Sequence, residues 1–364
     1  AVTTVPSGVG RNMVINGGMN VAQRSASVTG IGAAAGYFTL DRWKIETGSS
    51  AGRLTQTQTA DGPNGISANC IKLDCTTADA SIAADEYLLL TQVFEGQNLQ
   101  RIGKGVAGAK QVTVSFYVKA NAAFTFGCEL FDADNSRQIT KLFDTTTGWV
   151  RHELTFPADV DDGSSPFADD NARSLDLNFW LHSGSAFTSG TLNTTAWVNN
   201  DNTKRAAGID SFYSSTDNNF FITGVQMEVG PVATEFEQED ISTTQNKCFR
   251  YFQKMDSVGA VYQRYGVGLH FSTTGYSGII NLLAPMRAVP AVGTTGTAAN
   301  YAINHNANSV TACNAVPSLA GTADNPKHTI GIAVTVASGL DAGDYGTLIS
   351  NNNEDSFLSF DAEL

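Results

Sequence analysis

The chain is poor in charge, and above all in positive charge. Only 16% of its 364 residues are charged, and 22 Lys and Arg stand against 35 Asp and Glu, for a net charge of −13. Nucleic acids and anionic membranes bind clustered Lys and Arg, so we expect neither as a partner. No apolar run approaches the roughly 20 residues of a membrane span. No basic segment followed by an apolar one opens the chain, so neither membrane insertion nor an export signal is expected.

Cysteine, histidine and catalytic motifs are sparse or missing. The five cysteines are dispersed, and they lack both CxxC spacing and the density of a disulfide framework. We interpret them as buried free thiols, although Cys70 and Cys75 could meet across a bend. The five histidines show no metal-type spacing, and GxSxG, HExxH, P-loop and Rossmann motifs are absent. We therefore predict no catalytic residue and no enzyme activity.

Alternating apolar and polar residues dominate the first two thirds of the chain. The stretch "QVTVSFYVKA" puts Val112, Val114 and Phe116 on one face, and "FTFGCELFD", "WVRHELTFP" and "LDLNFWLHSG" alternate in the same way. Polar turn clusters such as "DADNS" and "DTTTG" separate these stretches. The pattern predicts an all-β fold, with an antiparallel jelly-roll β-sandwich over residues 37–238.

A different period follows the sandwich. In "EQEDISTTQNKCFRYFQKMDS" the residues Cys248, Tyr251, Phe252 and Met255 recur at i, i+3, i+4 and i+7. This spacing predicts a helix over 243–255, within a linking segment at 239–257. The later stretches "GAVYQRYGVGLHFS", "HTIGIAVTV" and "SFLSFDAEL" again resemble strands, so a smaller C-terminal β-domain is expected at 258–364.

Aromatic residues of the sandwich are the candidates for ligand contact. Flat rings beside Asp, Asn and Arg can stack on a sugar while the polar groups hydrogen-bond to it. The candidates are Trp149, Trp197, Tyr213 and Tyr117. A core role is the alternative for each of them, and Trp180, which lies among strand apolar residues, is interpreted as structural.

Clustered aspartates are the candidates for a metal site. Asp132, Asp134, Asp159 and Asp161 lie in turn segments, where carboxylate oxygens could hold a hard cation. The sharper hypothesis is a structural calcium ion in one of these loops. The alternative is that the aspartates cap Asx-type turns at strand ends. No other cofactor is expected.

Several stretches together resemble one protein family. "GRNMVINGGMNVAQRS" followed by "FTLDRW" resembles the N-terminal signature of a family of bacteriophage and prophage tail or virion proteins. "VTVSFYVKA", "TTGWVRHELTFPADV" and "FFITGVQMEVGPVATEFEQEDISTTQNKCFRYFQK" are similar to later parts of that family, in order, and "SFLSFDAEL" resembles its terminus.

The resemblance implies a jelly roll of the carbohydrate-binding-module type and then a small β-domain, within a virion fibre or appendage. It also implies a homotrimer, other virion proteins as partners, and assembly in the host cytoplasm. It assigns no binding residue. Asp41, Arg42 and Trp43 match the family's "DRW". We interpret them as a structural pin, with Arg42 bonded to a carboxylate or carbonyls and Trp43 sealing one end of the sandwich.

Two functions follow as expectations. The first is a tail fibre or appendage that contacts a receptor or glycan on the host surface. The alternative is an architectural head-decoration or adaptor protein with no ligand. Residues 1–36 are glycine-rich, and we hypothesise that they form an anchoring arm on the particle or on a sister subunit. In that hypothesis, deleting the arm abolishes incorporation into particles and leaves a folded sandwich.

Overall fold

The computed structural model describes residues 10–160, 165–259, 261–306, 309–321 and 327–364. The chain divides into two compact units, which we call the sandwich unit (residues 1–244 with Leu364) and the C-terminal unit (residues 245–363). Among the described residues, no helix is long and apolar enough to cross a membrane.

The sandwich unit consists mainly of strands. In its described part these are β1 (Ser27–Ile31), β2 (Lys44–Gly48), β3 (Arg53–Thr59), β4 (Cys70–Thr77), β5 (Tyr87–Glu95), β6 (Val112–Ala120), β7 (Thr125–Asp132), β8 (Arg137–Asp144), β9 (Val150–Phe156), β10 (Arg173–Ser183), β11 (Val198–Asn199) and β12 (Asn219–Val229). A short helix α1 (Ser185–Thr188) lies between β10 and β11. Single 3-10 turns occupy Gly96–Asn98, Gln100–Ile102, Asn202–Lys204 and Phe212–Ser214.

Two six-stranded antiparallel sheets make up this unit. The first sheet has the strand order β1-β3-β4-β12-β6-β9, and the second has the order β11-β8-β7-β10-β5-β2. Sequence neighbours such as β9 and β10 fall in different sheets, as they do in a jelly roll. The predicted all-β jelly-roll sandwich is therefore confirmed.

The core lies between the two sheets and follows the predicted alternation. Val114 and Phe116 of β6 have no exposed surface, and neither do Leu177 and Phe179 of β10. These side chains belong to one continuous hydrophobic cluster with members from both sheets. Full burial of one such side chain contributes about 1.5–3 kcal/mol. The inward rows of β6 and β10 thus hold the sheets together.

Residues 10–36 form part of the sandwich unit and not a separate arm. Met13 and Met19 are buried in its core. The Met13 amide donates to the Met227 carbonyl of β12. Gly17 approaches β12 so closely that a Cβ there would lie 2.1 Å from the Val225 oxygen. The glycines seen in the sequence therefore permit docking within the chain, and the part of the proposed arm at residues 1–9 lies outside the described residues.

The "DRW" residues are buried and bonded to their surroundings. Arg42 Nη2 donates to the Val93 carbonyl of β5, as expected for bonding to a carbonyl. Trp43 Nε1 donates to the Asn16 carbonyl at 3.1 Å, and the Asp41 carbonyl accepts from Asn16 Nδ2 at 3.0 Å. The geometry is consistent with a structural pin, which here joins the N-terminal segment to β5.

The C-terminal unit is also a β structure. Helix α2 (Ile241–Phe249) leads into it, and its described strands are β13 (Phe252–Asp256), β14 (Arg264–His270), β15 (Gly275–Asn281), β16 (Ala291–Thr294), β17 (Tyr301–His305), β18 (Ser309–Ala312), β19 (Ser318–Leu319), β20 (Thr329–Thr335), β21 (Tyr345–Ser350) and β22 (Phe357–Asp361). A 3-10 turn lies at Ala298–Asn300. The strands form a three-stranded sheet, β13-β22-β16, and a seven-stranded sheet, β18-β17-β21-β14-β15-β20-β19. A separate core cluster fills this unit.

The linking helix is shorter than predicted. The sequence pattern predicted a helix over 243–255, but α2 ends at Phe249 and Phe252–Asp256 is strand β13. Phe252 pairs with Asp361 of β22 and Met255 with Leu358. Over so short a stretch, the local pattern of apolar residues does not decide between helix and strand. Backbone pairing with β22 makes Phe252–Asp256 a strand.

The five cysteines are free and buried, as predicted. Burial raises the pKa of the Cys70 and Cys75 thiols to about 11 each. Both thiols therefore stay protonated and weakly nucleophilic at neutral pH.

Asn16 offers a direct test of the role of the N-terminal segment. Its side chain donates to Val21 O at 2.8 Å and accepts from the Asn20 and Val21 amides, and its φ of +58° is left-handed. Asn16→Ala leaves these buried groups unpaired, so we expect a loss of about 2–4 kcal/mol in the free energy of unfolding. Urea titration measures this loss. Asn20→Ala, an exposed neighbour, should change stability by less than about 0.5 kcal/mol. If both variants were equally stable, the conclusion that the N-terminal segment helps to stabilise the sandwich unit would be wrong.

Candidate ligand-binding site

Two of the four predicted ligand contacts lie on the outer face of the first sheet. Trp149 and Tyr117 are both partly exposed. Lys119 Nζ lies 5.1 Å from the Trp149 ring centroid and 4.6 Å from that of Phe221. The Arg151 guanidinium lies 5.9 Å from the Tyr117 ring centroid. The chain's own cations thus occupy ring faces that a sugar would need.

Of the other two predicted contacts, Tyr213 lies in the interior of the sandwich unit and Trp197 is partly buried at the border of its core. Tyr213 has no exposed surface, and its ring fills the space beside Gly52, where a Cβ would lie 2.4 Å from it. Trp197 packs against the main core cluster, and its Nε1 donates to the Pro157 carbonyl at 2.9 Å. In this structure Tyr213 offers no ring surface to a ligand, and Trp197 closes one border of the core.

The candidate metal residues Asp132 and Asp159 come together, but each is bonded to a cation. Lys104 Nζ lies 2.6 Å from Asp132 Oδ2 and 3.7 Å from Asp159 Oδ2. Arg137 donates to both oxygens of Asp159, at 2.8 and 2.9 Å. All four side chains are at most 3% exposed. The cluster contains two carboxylates and two cations, so its formal charges sum to zero. It therefore has no excess negative charge to attract a divalent ion.

The remaining candidate metal residues do not complete a site. Asp134 Oδ2 accepts a hydrogen bond from the Ala168 amide at 3.0 Å, which links the turn after β7 to a segment distant in the chain. Asp161 lies outside the described residues. In the described part of the chain, no group of three or more His, Cys, Asp or Glu side chains is placed to hold a metal ion. A calcium ion involving Asp161 stays a prediction.

A cavity of about 340 Å³ opens on the outer face of the second sheet. We call it the second-sheet cavity. Strand register aligns Lys44 of β2, Thr91 of β5, Asn178 of β10 and Glu129 of β7 in one row across the sheet. Thr91 Oγ1 donates to Asn178 Oδ1, and Asn178 Nδ2 donates to Glu129 Oε2 at 2.9 Å. Thr91, Asn178 and Glu129 therefore form a connected line of polar groups at and beneath the cavity floor.

Three aromatic rings, carried by β10, β5 and α1, also line the second-sheet cavity. Trp180 is only 1% exposed and lies at its base, whereas Tyr87 and Phe187 are partly exposed. The Phe187 ring centroid lies 5.4 Å from that of Trp180 and 5.5 Å from that of Tyr87. Gly48 stands opposite Tyr87, and a Cβ at Gly48 would lie 2.3 Å from the Tyr87 ring. The missing side chain at Gly48 lets the Tyr87 ring lie where it does.

A fully buried carboxylate organises the cavity floor. Glu129 accepts from Arg205 Nε and Nη2, both at 2.8 Å, and from Trp180 Nε1 at 2.9 Å. The same Arg205 guanidinium lies 4.6 Å from the Phe131 ring centroid and 5.1 Å from that of Trp180. A bidentate pair with this many donors fixes both partners in place. The loop that carries Arg205 is thereby fastened over the sheet.

The other charges of the second-sheet cavity are also paired. Arg173 Nε donates to Asp176 Oδ1 at 2.9 Å, and Lys44 Nζ pairs with Glu46. Burial raises the pKa of Asp176 above its ordinary value, although the hydrogen bond from Arg173 acts to lower it. Burial also raises the pKa of Tyr87. The cations and carboxylates balance, so the cavity is polar without a net charge.

Sequence reasoning missed this site, although one signal was present. In "LDLNFWLHSG" the alternation that buries Leu177 and Phe179 puts Asp176, Asn178 and Trp180 on the opposite face. An outward row of Asp, Asn and Trp on a central strand is typical of a polar surface with an aromatic ring. Trp180 itself is 1% exposed and packs in a buried cluster with Leu89 and Ala206, in agreement with the structural role predicted for it.

A second polar cluster contains a buried histidine. His182 Nδ1 lies 2.8 Å from Ser211 Oγ, and His182 Nε2 lies 3.4 Å from Glu86 Oε2. Serine, histidine and carboxylate in this order occur in serine hydrolases. Here His182 has no exposed surface, so its ring cannot reach a substrate. The cluster joins β10 to the 3-10 turn at Phe212–Ser214, and burial lowers the pKa of His182.

No family model matches the chain, and no curated protein matches it. Similar solved structures include a CBM4 structure at 10% identity, covering 59% of this chain and 97% of that one, with a TM-score of 0.30. TmCBM61 in complex with β-1,4-galactotriose is 11% identical, with coverage of 60% and 99% and a TM-score of 0.29. A family 11 carbohydrate-binding module from Clostridium thermocellum, in complex with a mixed-linked tetrasaccharide, is 12% identical, with coverage of 59% and 99% and a TM-score of 0.27. At such TM-scores these likenesses carry no argument about ligands.

The buried ion cluster leads to a stability prediction. Lys104→Met removes the cation beside Asp132, and an uncompensated buried charge costs about 3–5 kcal/mol in the free energy of unfolding. Lys72→Met is the matched control, because Lys72 and Asp74 form a partly exposed surface pair that contributes about 1 kcal/mol or less. Urea titration compares the two. The double variant Lys104→Met, Asp132→Leu should recover much of the loss, and a double variant as unstable as Lys104→Met would contradict the charge explanation.

His182 predicts how stability depends on pH. Its pKa is lower in the folded chain than the unperturbed value of about 6.5, so the unfolded chain binds a proton first as the pH falls. Its contribution to stability is therefore complete above about pH 6.5 and decreases below that pH, by at most about 1.4 kcal/mol per pH unit.

Urea titrations between about pH 7.5 and about pH 5.5, either side of the histidine value, measure this dependence. His182→Gln should flatten it, and substitution of the exposed His328 should leave it unchanged. An identical pH profile in His182→Gln and in the unsubstituted chain would rule out His182 as its source.

Proposed function

We propose that this protein binds an uncharged glycan in the second-sheet cavity. The observation that carries the proposal is the presence of hydrogen-bonding groups and aromatic rings in one cavity. Lys44, Thr91 and Asn178, which share one row across the sheet, offer hydrogen-bonding groups, and Tyr87 and Phe187 offer aromatic rings. A sugar presents both hydroxyl groups and apolar ring faces, and this lining matches both.

Charge balance supports an uncharged ligand over an acidic one. Each cation at the cavity has a carboxylate partner, so an acidic sugar would have to displace one of these carboxylates. The buried Glu129 would be left unpaired if Arg205 turned toward a ligand, which costs several kcal/mol. Hydroxyl groups can instead bond to the paired groups without separating them.

The cavity has the dimensions and rigidity of a binding site. Its volume of about 340 Å³ lies at the lower end of the range of ligand pockets, which is about 300–1,000 Å³. The floor groups are bonded to one another before any ligand arrives, as in the bond from Asn178 to Glu129. Preorganised groups lose little conformational entropy when a ligand binds.

The wider setting of the proposal rests on the sequence resemblance. The signature from Arg11 through Trp43 and the terminal "SFDAEL" support a tail fibre or appendage of a phage virion. In that setting the ligand would be a glycan of the host surface, and the other partners would be virion proteins. A head-decoration or adaptor protein, the alternative, would bind no glycan.

A glycan array followed by calorimetry tests the proposal. The full chain is applied to arrays of neutral and acidic oligosaccharides, and affinity for the best neutral ligand is then measured. Tyr87→Ala should weaken that affinity at least about tenfold, which corresponds to about 1.4 kcal/mol. Lys44→Ala, at the partly exposed rim, should weaken it to a smaller extent.

Trp149→Ala is the matched control, because it removes a partly exposed aromatic ring from the other sheet. It should bind as the unsubstituted chain does. Unfolding midpoints of all variants separate lost affinity from lost structure. Absence of binding to any array glycan would reject the proposal and favour the architectural alternative. Equal weakening by Trp149→Ala and Tyr87→Ala would reject the second-sheet cavity as the site.

A further inference from the structure

An exposed apolar surface occupies the outer face of the seven-stranded sheet in the C-terminal unit. Its members are Val267 and Leu269 of β14, Ile279 of β15 and Tyr345 of β21, with 67, 41, 56 and 79% of their surfaces exposed. We call these four residues the apolar face. Val267 stands opposite Ile279, and Leu269 stands opposite Tyr345. They are therefore adjacent in space and form one continuous patch.

The apolar face borders a wide groove of about 610 Å³. The other lining residues, all within the described part of the chain, are uncharged: Gly268, Ser277, Asn304, Gly346 and Thr347. Clustered apolar patches of this kind, rimmed by polar residues, mark interaction surfaces in soluble proteins. Single exposed apolar residues would need no such explanation.

We infer that the apolar face is an interface between copies of this chain. The distribution of charge carries the choice of partner. Residues 245–363 contain six Lys and Arg and eight Asp and Glu, for a net charge of −2. Residues 1–244 contain sixteen and twenty-seven, for a net charge of −11. Two copies therefore repel each other least where their C-terminal units meet.

The groove and its border are also complementary to themselves. Tyr345 projects most strongly of the four residues, and it borders the groove. In a two-fold arrangement the Tyr345 ring of each copy enters the groove of the other, so one surface supplies both the anchor and its pocket. Tyrosine is among the residues that dominate such interfaces. The described residues that line the groove are uncharged, so a charged partner would find no opposite charge there.

Pairing through strand edges is less available than contact through this face. The apolar segments "GIAVTVAS" and "SFLSFDAEL" could form a sheet with another copy only through a free strand edge. In the structure β20 lies between β15 and β19, and β22 lies between β13 and β16, so both have neighbours on each side. The outermost strands of the large sheet, β18 and β19, have four and two residues. Short edge strands give little pairing to another copy.

Sedimentation velocity of the full chain tests the inference. We expect a mass of two copies that falls toward 38.5 kDa on dilution. Ile279→Glu places like charges across the interface, and Tyr345→Ser removes the anchor. Each should weaken association at least tenfold while leaving the urea unfolding midpoint of the single copy unchanged.

Val258→Glu is the matched control, because Val258 is 80% exposed and lies outside the apolar face. It should associate as the unsubstituted chain does. A chain that stays at 38.5 kDa at the highest concentrations would overturn the inference, and so would a mass of three copies, the homotrimer that the resemblance implies. So would assemblies that survive both Ile279→Glu and Tyr345→Ser, because another surface would then hold the copies together.

Discussion

The strict two-residue alternation of β10 is the constraint on which the sandwich unit depends. Its inward row, which includes Leu177 and Phe179, fills the space between the sheets. Its outward row, which includes Asn178 and Trp180, forms the base of the second-sheet cavity. A slip of one residue in its pairing with β5 or β7 would exchange the rows, so core and cavity would be lost together. The stability of the fold and the shape of the site therefore share one determinant.

Charged residues are arranged differently on the surface and in the interior of this chain. The chain carries a net charge of −13, whereas several buried acidic groups of the sandwich unit have a cation beside them. Lys104 lies beside Asp132, and Arg205 lies beside Glu129. Paired buried charges contribute little net stability, but they are directional, and each pair fixes a loop to a strand. The loop after α1 is held over the second sheet in this way, and it supplies one wall of the cavity.

The general architecture could be predicted from sequence because it rests on local alternation. Strand β6 illustrates this, since Val114 and Phe116 lie inside as their spacing indicates. The N-terminal segment could not be predicted in the same way. Met13 and Met19 show no period, so the sequence indicated docking without identifying β12 of the same chain as the partner. At Phe252 the local spacing fitted a helix, and only the distant β22 decides for a strand.

The candidate site was less accessible to sequence reasoning than the fold. The residues Lys44, Thr91 and Asn178 are far apart in the chain, and only strand register brings them into one row. Arg205 arrives on a loop with no periodic pattern. Single aromatic residues such as Tyr213 looked equally suited to a core or a ligand until burial separated them. The sequence therefore indicated which types of residue could bind a ligand, but not where in the fold they come together.

The close contact between Gly48 and Tyr87 has a consequence for how this protein can diverge. Gly48 does not line the second-sheet cavity, yet any side chain there would displace the Tyr87 ring. A single substitution at position 48 can therefore alter the shape of the cavity while every residue that lines it stays the same. Homologues with identical cavity residues therefore need not share a ligand. The residue that distinguishes them would be the one at position 48, beside the Tyr87 ring.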